Sequence, residues 1–349
     1  MLDIYPDIDR WLEEKETIGL ATVTQTWGSS PRPVGAKMAF TLSGKISGSV
    51  SGGCVEGAVY EAGVLSIKSN HPELLHFGVT DETAFSVGLA CGGKIDIFVR
   101  KLDPRLYRVA RSELVARKSA AILSILDGPA ELKGREAVIT QSNQLIGSLG
   151  QNLDQQATKL AFPLMEMNKP RAVTLELARE GNLNLFVDVI APPPTLVIIG
   201  GVHIAITLAS LAKSLGYYTV VIDPRRSFGN PERFPHVDQL IQSWPEEALQ
   251  QVELSSNTCV AVLTHDPKID DPAIKIALNS PVFYIGALGS RQTHTKRCQR
   301  LEIDGFTPKQ IKRIKAPIGL NLGENTPEET ALAVMAEIVA TRHGKTVDE

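Results

Sequence analysis

The chain has 349 residues, 43% of them hydrophobic and 21% charged, with a formal net charge of −3. This is the composition of an ordinary soluble chain of two or three domains, and the small charge gives no reason to expect nucleic acid or an anionic membrane as partner. The first fifteen residues are acidic and amphipathic rather than basic and apolar, so they do not read as an export signal and a cytoplasmic chain is expected.

After them the sequence repeats itself. Copy one runs from about Ile18 to Leu102, and copy two from about Ala120 to Ile190. The segment from Gly35 to Val50 aligns without a gap on Gly134 to Leu149, and Lys94 to Val99 aligns on Asn182 to Val187. Both copies keep the apolar alternation and the glycines of a strand-turn-strand unit. They differ at two turns. Ser51-Gly-Gly-Cys54 is replaced by Gly150-Gln-Asn-Leu153, and Cys91-Gly-Gly-Lys94 by Arg179-Glu-Gly-Asn182. If the copies share a fold, that fold needs neither thiol. Cys54 and Cys91 are therefore read as reactive or ligand thiols. A disulfide between them fits a reducing compartment poorly, and no Cys-x-x-Cys or His pair accompanies them as zinc sites usually require. Cys259 sits in an apolar run and reads as a buried small hydrophobe, while Cys298 reads as an incidental helix-surface residue.

The stretch Val55 to Leu65 has helical spacing, which places Cys54 at a helix N-terminus, where thiolate and bound anions are favoured. Gly52 and Gly53 let the backbone approach a phosphate or oxyanion. Glu56 suits the helix dipole as a first-turn acid and is also a candidate cofactor contact. Pro192-Pro-Pro194 ends this first domain, residues 1–190. The uncharged stretch Val189 to Ala212 contains prolines, glycines and a histidine, so no membrane span is expected.

Residues 195–349 read as a doubly wound, Rossmann-like domain, because buried strands alternate with helices. The strands are Thr195 to Ile199, Thr219 to Ile222, Cys259 to Thr264 and Val282 to Ile285. Gly200 and Gly201 make the first turn, His203 opens the helix, and Asp223 stands where a ribose-binding acid would be. The fingerprint is incomplete, since Val202 and Ala205 occupy the second and third glycine positions. Three groups should meet at the strand ends: His203, the pair His265-Asp266, and Ser290-Arg291. His265 and Asp266 are placed for proton transfer, orientation or metal binding, and Arg291, after a Ser290 cap, for clamping an anion. Asp270 and Asp271 read as the start of the next helix. Thr307 and Thr326 each open a capped helix with no bearing on activity.

Gly28-Ser-Ser-Pro31, Gly35-Ala-Lys-Met38, Ser51-Gly-Gly-Cys-Val-Glu56 and Gly88-Leu-Ala-Cys-Gly-Gly93 resemble the N-terminal signature of the XdhC/CoxI family. Tyr284 to Arg291, Ala316-Pro-Ile-Gly319 and Thr326-Pro-Glu-Glu329 resemble its C-terminal domain. The resemblance implies a maturation chaperone that binds the molybdenum cofactor, assists its sulfuration, and delivers it to an apo molybdenum hydroxylase of the xanthine dehydrogenase type. It further implies Cys54 and Cys91 as the thiols near the molybdenum, with Gly52, Gly53, Gly92 and Gly93 around the cofactor. A cysteine desulfurase and a second copy of the chain are the other expected partners. Similar proteins read Gly-Ala-Gly-His-Val-Gly where this chain reads Gly200-Gly-Val-His-Ile-Ala205, so NAD(P) or another nucleotide is a weaker expectation. Two competing readings stand beside it: an NAD(P)-dependent oxidoreductase using His265 and Arg291, and a redox sensor pairing Cys54 with Cys91.

Overall fold

The computed structural model describes residues 4–30, 32–78, 93–177, 181–323 and 326–345. They form two compact units, Met1–Pro192 and Pro193–Glu349.

In the first unit the repeat is structural. Copy one runs α1 (Tyr5–Glu13), β1 (Ile18–Trp27), β2 (Lys37–Thr41), β3 (Ile46–Gly48), α2 (Glu56–Ser69), β4 (Glu73–Phe77), β5 (Lys94–Lys101). Copy two runs α3 (Pro104–Val115), β6 (Ala120–Asp127), β7 (Glu136–Thr140), β8 (Leu145–Gly147), α4 (Gln151–Glu166), β9 (Arg171–Leu177), β10 (Gly181–Ile190). Each copy makes an antiparallel five-stranded sheet of the same order, β3-β2-β1-β5-β4 and β8-β7-β6-β10-β9. The ladders also agree in register, since Ile18 pairs with Thr41 as Ala120 pairs with Thr140. Both sheets bulge at corresponding places, skipping Thr24 in β1 and Leu126 in β6. Gly48 and Gly147 match as well. Both have positive φ, and an added Cβ would strike the carbonyl of Lys37 or Glu136.

Each repeat includes one more helix than the alternation of strands revealed. α1 and α3 precede the first strands and pack together, with the Tyr5 and Tyr107 rings 6.0 Å apart and Arg111 Nε 3.0 Å from Asp9. These are corresponding positions facing each other, as a two-fold relation between the copies demands. Buried ion pairs obey the same relation with the charges exchanged. Lys37 Nζ meets Asp188 at 2.8 Å, with both side chains 3% exposed, and Arg100 pairs with Glu136. Lys37 corresponds to Glu136, and Arg100 to Asp188. Phe98 and Phe186, again equivalent, share a small cluster with Leu126.

The second unit runs β11 (Thr195–Ile199), α5 (His203–Ser214), β12 (Tyr218–Ile222), β13 (Gln239–Ile241), α6 (Pro245–Ala248), β14 (Thr258–Val262), α7 (Pro267–Leu278), β15 (Tyr284–Ala287), α8 (Arg291–Ile303), α9 (Pro308–Ile311), β16 (Ile314–Lys315) and α10 (Pro327–Arg342). Its sheet is parallel, in the order β13-β12-β11-β14-β15-β16. Alternate residues of β11 serve opposite faces. Val197 and Ile199 pack with α7 and α8, while Leu196 and Ile198 pack with α5 and α10. This two-sided burial is why the strand reads as a continuous apolar run, and it gives a doubly wound α/β unit. The short strands β13 and β16 carry too few residues for a periodic signal.

Candidate functional site

The turn between β3 and α2 is organised around Glu56. Its carboxylate accepts N–H bonds from Val50 (3.2 Å), Ser51 (2.9 Å), Gly52 (3.1 Å) and Gly53 (2.9 Å). The hydroxyls of Ser49 (2.6 Å) and Ser51 (2.5 Å) donate to it as well. Partial burial works to raise the Glu56 carboxyl, but the Ser49 and Ser51 hydroxyls and the Ser51 N–H outweigh it and hold it at about 2. This corrects the sequence expectation for Gly52 and Gly53: the N–H groups of the anion cradle already hold the chain's own carboxylate. Both glycines have positive φ, +82° and +120°. At Gly53 nothing lies within reach of an added Cβ, so backbone conformation, not close approach, requires the glycine.

Cys54 lies two residues before α2, whose N-cap is Val55, one residue further from the helix than expected. Its N–H and that of Val55 both donate to Ser51 Oγ at 3.0 Å. The thiol is free and half-buried, packed against the apolar cluster of Val50, Val55 and Val59. Gly93 is pressed onto the loop after β1, where an added Cβ would lie 2.3 Å from the Ser29 carbonyl oxygen. Arg32 Nε donates to the Ser49 carbonyl at 3.3 Å, so Gly93 and Ser29 on one side, and Arg32 and the Glu56 turn on the other, are neighbours. Arg32 escaped the sequence reading, and its only signal is its place directly after the Gly28 motif. Cys91 and Gly92 lie outside the described residues. Among the described residues no group of three His, Cys, Asp or Glu side chains is arranged to hold a metal ion.

At the first turn of the parallel sheet the expected nucleotide contacts are used within the protein. Asp223 is 0% exposed and accepts from Gly201 N–H (2.7 Å), Arg225 N–H (2.9 Å), Arg225 Nε (2.9 Å) and Arg225 Nη2 (2.7 Å). Burial would raise its carboxyl, yet the Arg225 guanidinium and these N–H groups hold it below the usual range. It has no free oxygen for a ribose hydroxyl. Gly200, with φ +105°, is fitted against Thr264, and an added Cβ on Gly201 would lie 2.5 Å from the Phe228 carbonyl oxygen. The glycines therefore admit a neighbouring loop, not a pyrophosphate. Val202 packs against the apolar core, and exposed His203 has Nε2 3.5 Å from Glu328.

The strand-end residues divide into structural and cavity-lining groups. Asp266 is the N-cap of α7, accepting from Lys268 N–H at 3.0 Å, and Ser290 is the N-cap of α8, accepting from Thr293 N–H at 3.2 Å. Arg291 is exposed at the start of α8. His265, held at φ +61°, lines a cavity of about 260 Å³ with Asp270, Thr293, Lys296, Arg297 and Arg300. The sequence reading brought His265 to this edge but missed Asp270 and Arg297. The retrievable signal was helical spacing: Arg297 lies four residues before buried Leu301 on the inner stripe of α8. Cys298, read as incidental, is half-buried with Sγ 3.5 Å from His294 Nε2.

Comparison with known proteins agrees with this architecture. Residues 11–78 match the model of the XdhC and CoxI family, and residues 196–338 match that of the XdhC Rossmann domain. A Bacillus subtilis protein, named as a probable xanthine dehydrogenase subunit, is 29% identical over 96% of this chain and 96% of its own. The molybdenum cofactor insertion chaperone PaoD of Escherichia coli is 28% identical over 93% of this chain and 83% of its own. A crystal structure described as a xanthine dehydrogenase from Bacillus halodurans has the same fold, with a TM-score of 0.73 at 23% identity over 98% of this chain and 96% of that one.

Proposed function

The chain belongs to the XdhC and CoxI family, and from that premise we propose that it is a maturation protein for molybdenum hydroxylases, with the molybdenum cofactor as its cargo. The relative named as a molybdenum cofactor insertion chaperone supports this reading over most of the chain. The observation that carries it is the Ser51–Cys54 turn, whose Ser51, Gly52 and Gly53 N–H groups are taken up by the Glu56 carboxylate and which holds a free thiol outside a helix. A soft thiolate suits a thiophilic metal or a transferred sulfur atom. The glycine turn does not suit the cofactor's phosphate, because Glu56 takes its N–H groups. Arg32, beside the turn, is the better group for an anionic part of the cargo.

On this reading Cys54 and Cys91 face the metal or the incoming sulfur, and the protein supports sulfuration before insertion. A cysteine desulfurase would supply the sulfur, the large subunit of an apo molybdenum hydroxylase would receive the cofactor, and the chain would work as a homodimer. The test compares cofactor binding and activation of the apo-hydroxylase for the wild type, Cys54→Ala and Cys91→Ala. Loss of either readout in the variants is expected. Unchanged affinity with unchanged activation defeats the thiol assignment.

A further inference from the structure

The cavity between the starts of α7 and α8 has a feature that neither the fold nor cofactor maturation explains. Arg297 is 2% exposed, yet among the described residues its Nε and Nη1 have no hydrogen-bond partner. Nη2 donates to the Leu288 carbonyl at 3.1 Å and lies 3.7 Å from Asp270 Oδ2. Asp270 is itself engaged, accepting from the Thr264 hydroxyl at 2.5 Å. Arg300, on the same wall, is committed to Asp271 by bonds of 2.5 and 2.9 Å. Arg297 is thus a buried cation with two donors to spare, where buried Arg100, among the described residues, leaves one nitrogen unpartnered. Burying a guanidinium with unused N–H groups is unfavourable unless another acceptor completes them.

The surroundings describe that acceptor. Lys296 and His265 line the same cavity as Arg297, together with Arg300 and the Asp270 carboxylate, both already paired within the protein. The Thr293 side chain adds a hydroxyl. His265 is held there in a left-handed backbone conformation, a strain found most often at functional sites. A volume of about 260 Å³ lies just below the roughly 300–1,000 Å³ of ordinary small-molecule pockets, and is too little for a dinucleotide.

We propose that this cavity is a binding site for a phosphate-type oxyanion, either free phosphate or the phosphate of a small monoester, with Arg297 as its buried anchor and Lys296 as the second cation. The site lies at the carboxyl ends of β14 and β15, where doubly wound sheets collect ligands. Its lining residues all belong to the second unit.

The test uses the full chain in phosphate-free buffer, titrated with inorganic phosphate and separately with ribose 5-phosphate, followed by calorimetry and by ³¹P NMR of the ligand. Saturable one-to-one binding of at least one probe, with a millimolar or tighter Kd, is expected. Lys296 is exposed, so Lys296→Ala should keep the fold while weakening binding about tenfold. Arg297→Lys keeps a charge but loses the planar fork, and should weaken binding by at least about tenfold. Ribose 5-phosphate binding at least about tenfold tighter than phosphate marks an organic monoester as the natural ligand, and similar affinities mark free phosphate. Cys54→Ala should bind like the wild type, which separates failure here from failure of the cofactor reading. Absence of saturable binding of both probes to about 10 mM overturns the proposal, as does binding unchanged in Lys296→Ala.

Discussion

The two repeats of the first unit share strand order, register, bulge and matched positive-φ glycines, and differ where the thiol sits. In copy two the helix α4 begins at Gln151, the position aligned with Gly52, and buried Leu153 stands in for Cys54. In copy one α2 begins only at Glu56. Copy one has a loop where copy two has about one turn of helix, and the loop is held by a carboxylate. Asp154 plays the corresponding part in copy two with two partners, Ser148 Oγ and Leu149 N–H, both at 2.7 Å. Glu56 has six. A shared scaffold thus tolerates a loop at this position when the exposed N–H groups receive an internal acceptor.

The largest expected effect tests the relation between the copies. Lys37→Met leaves Asp188 buried without its partner and should cost about 3–5 kcal/mol in denaturant unfolding. The double variant Lys37→Met with Asp188→Leu should recover most of that loss, and no recovery would show that the pair does more than compensate buried charge. Next comes Glu56→Gln, which weakens the acceptor of six bonds and should cost about 1–3 kcal/mol. Its pH dependence has a definite sign. Because the folded carboxyl lies below its ordinary value of 4.5, the advantage of the wild type should be constant near neutrality and shrink as pH falls from 4.5 towards about 2. A stability difference independent of pH across that window would refute the ionised cradle.

Asp154→Asn, the matching change in copy two, should cost only about 0.5–1.5 kcal/mol, since fewer bonds depend on it. An equal or larger loss than at Glu56 would remove the distinction between the turns. Smallest in stability is Cys54→Ala, expected to shift unfolding by about 1 kcal/mol or less because the thiol is only half-buried. A loss of several kcal/mol would make Cys54 a packing residue and leave the asymmetry without a chemical reason.

Much of the fold was legible because it rests on periodicity. The duplicated segments, the alternation in the antiparallel strands and the continuous apolar run of β11 all follow from which faces are buried. The helices α1 and α3 escaped as members of the repeat because their sequences diverged at facing positions, Asp9 against Arg111 for example. The candidate site was legible in residue type but not in contact. Gly52 and Gly53 were read as a cradle open to a ligand anion, yet their N–H groups go to Glu56, which was read as a dipole-complementing acid and a candidate cofactor contact. Asp223 had the sequence position of a ribose ligand, and Arg225, two residues on, takes its oxygens.

Spacing along the chain is enough to specify a duplicated antiparallel module, a parallel α/β unit, and thiols confined to one copy. Which polar group meets which was settled in three dimensions, because hydrogen bonds and buried charges are satisfied by whatever partner the packed fold brings within reach. A carboxylate four residues away in the chain filled the glycine cradle, Asp188 found Lys37 across the two repeats, and Arg297 was buried with donors left unmet.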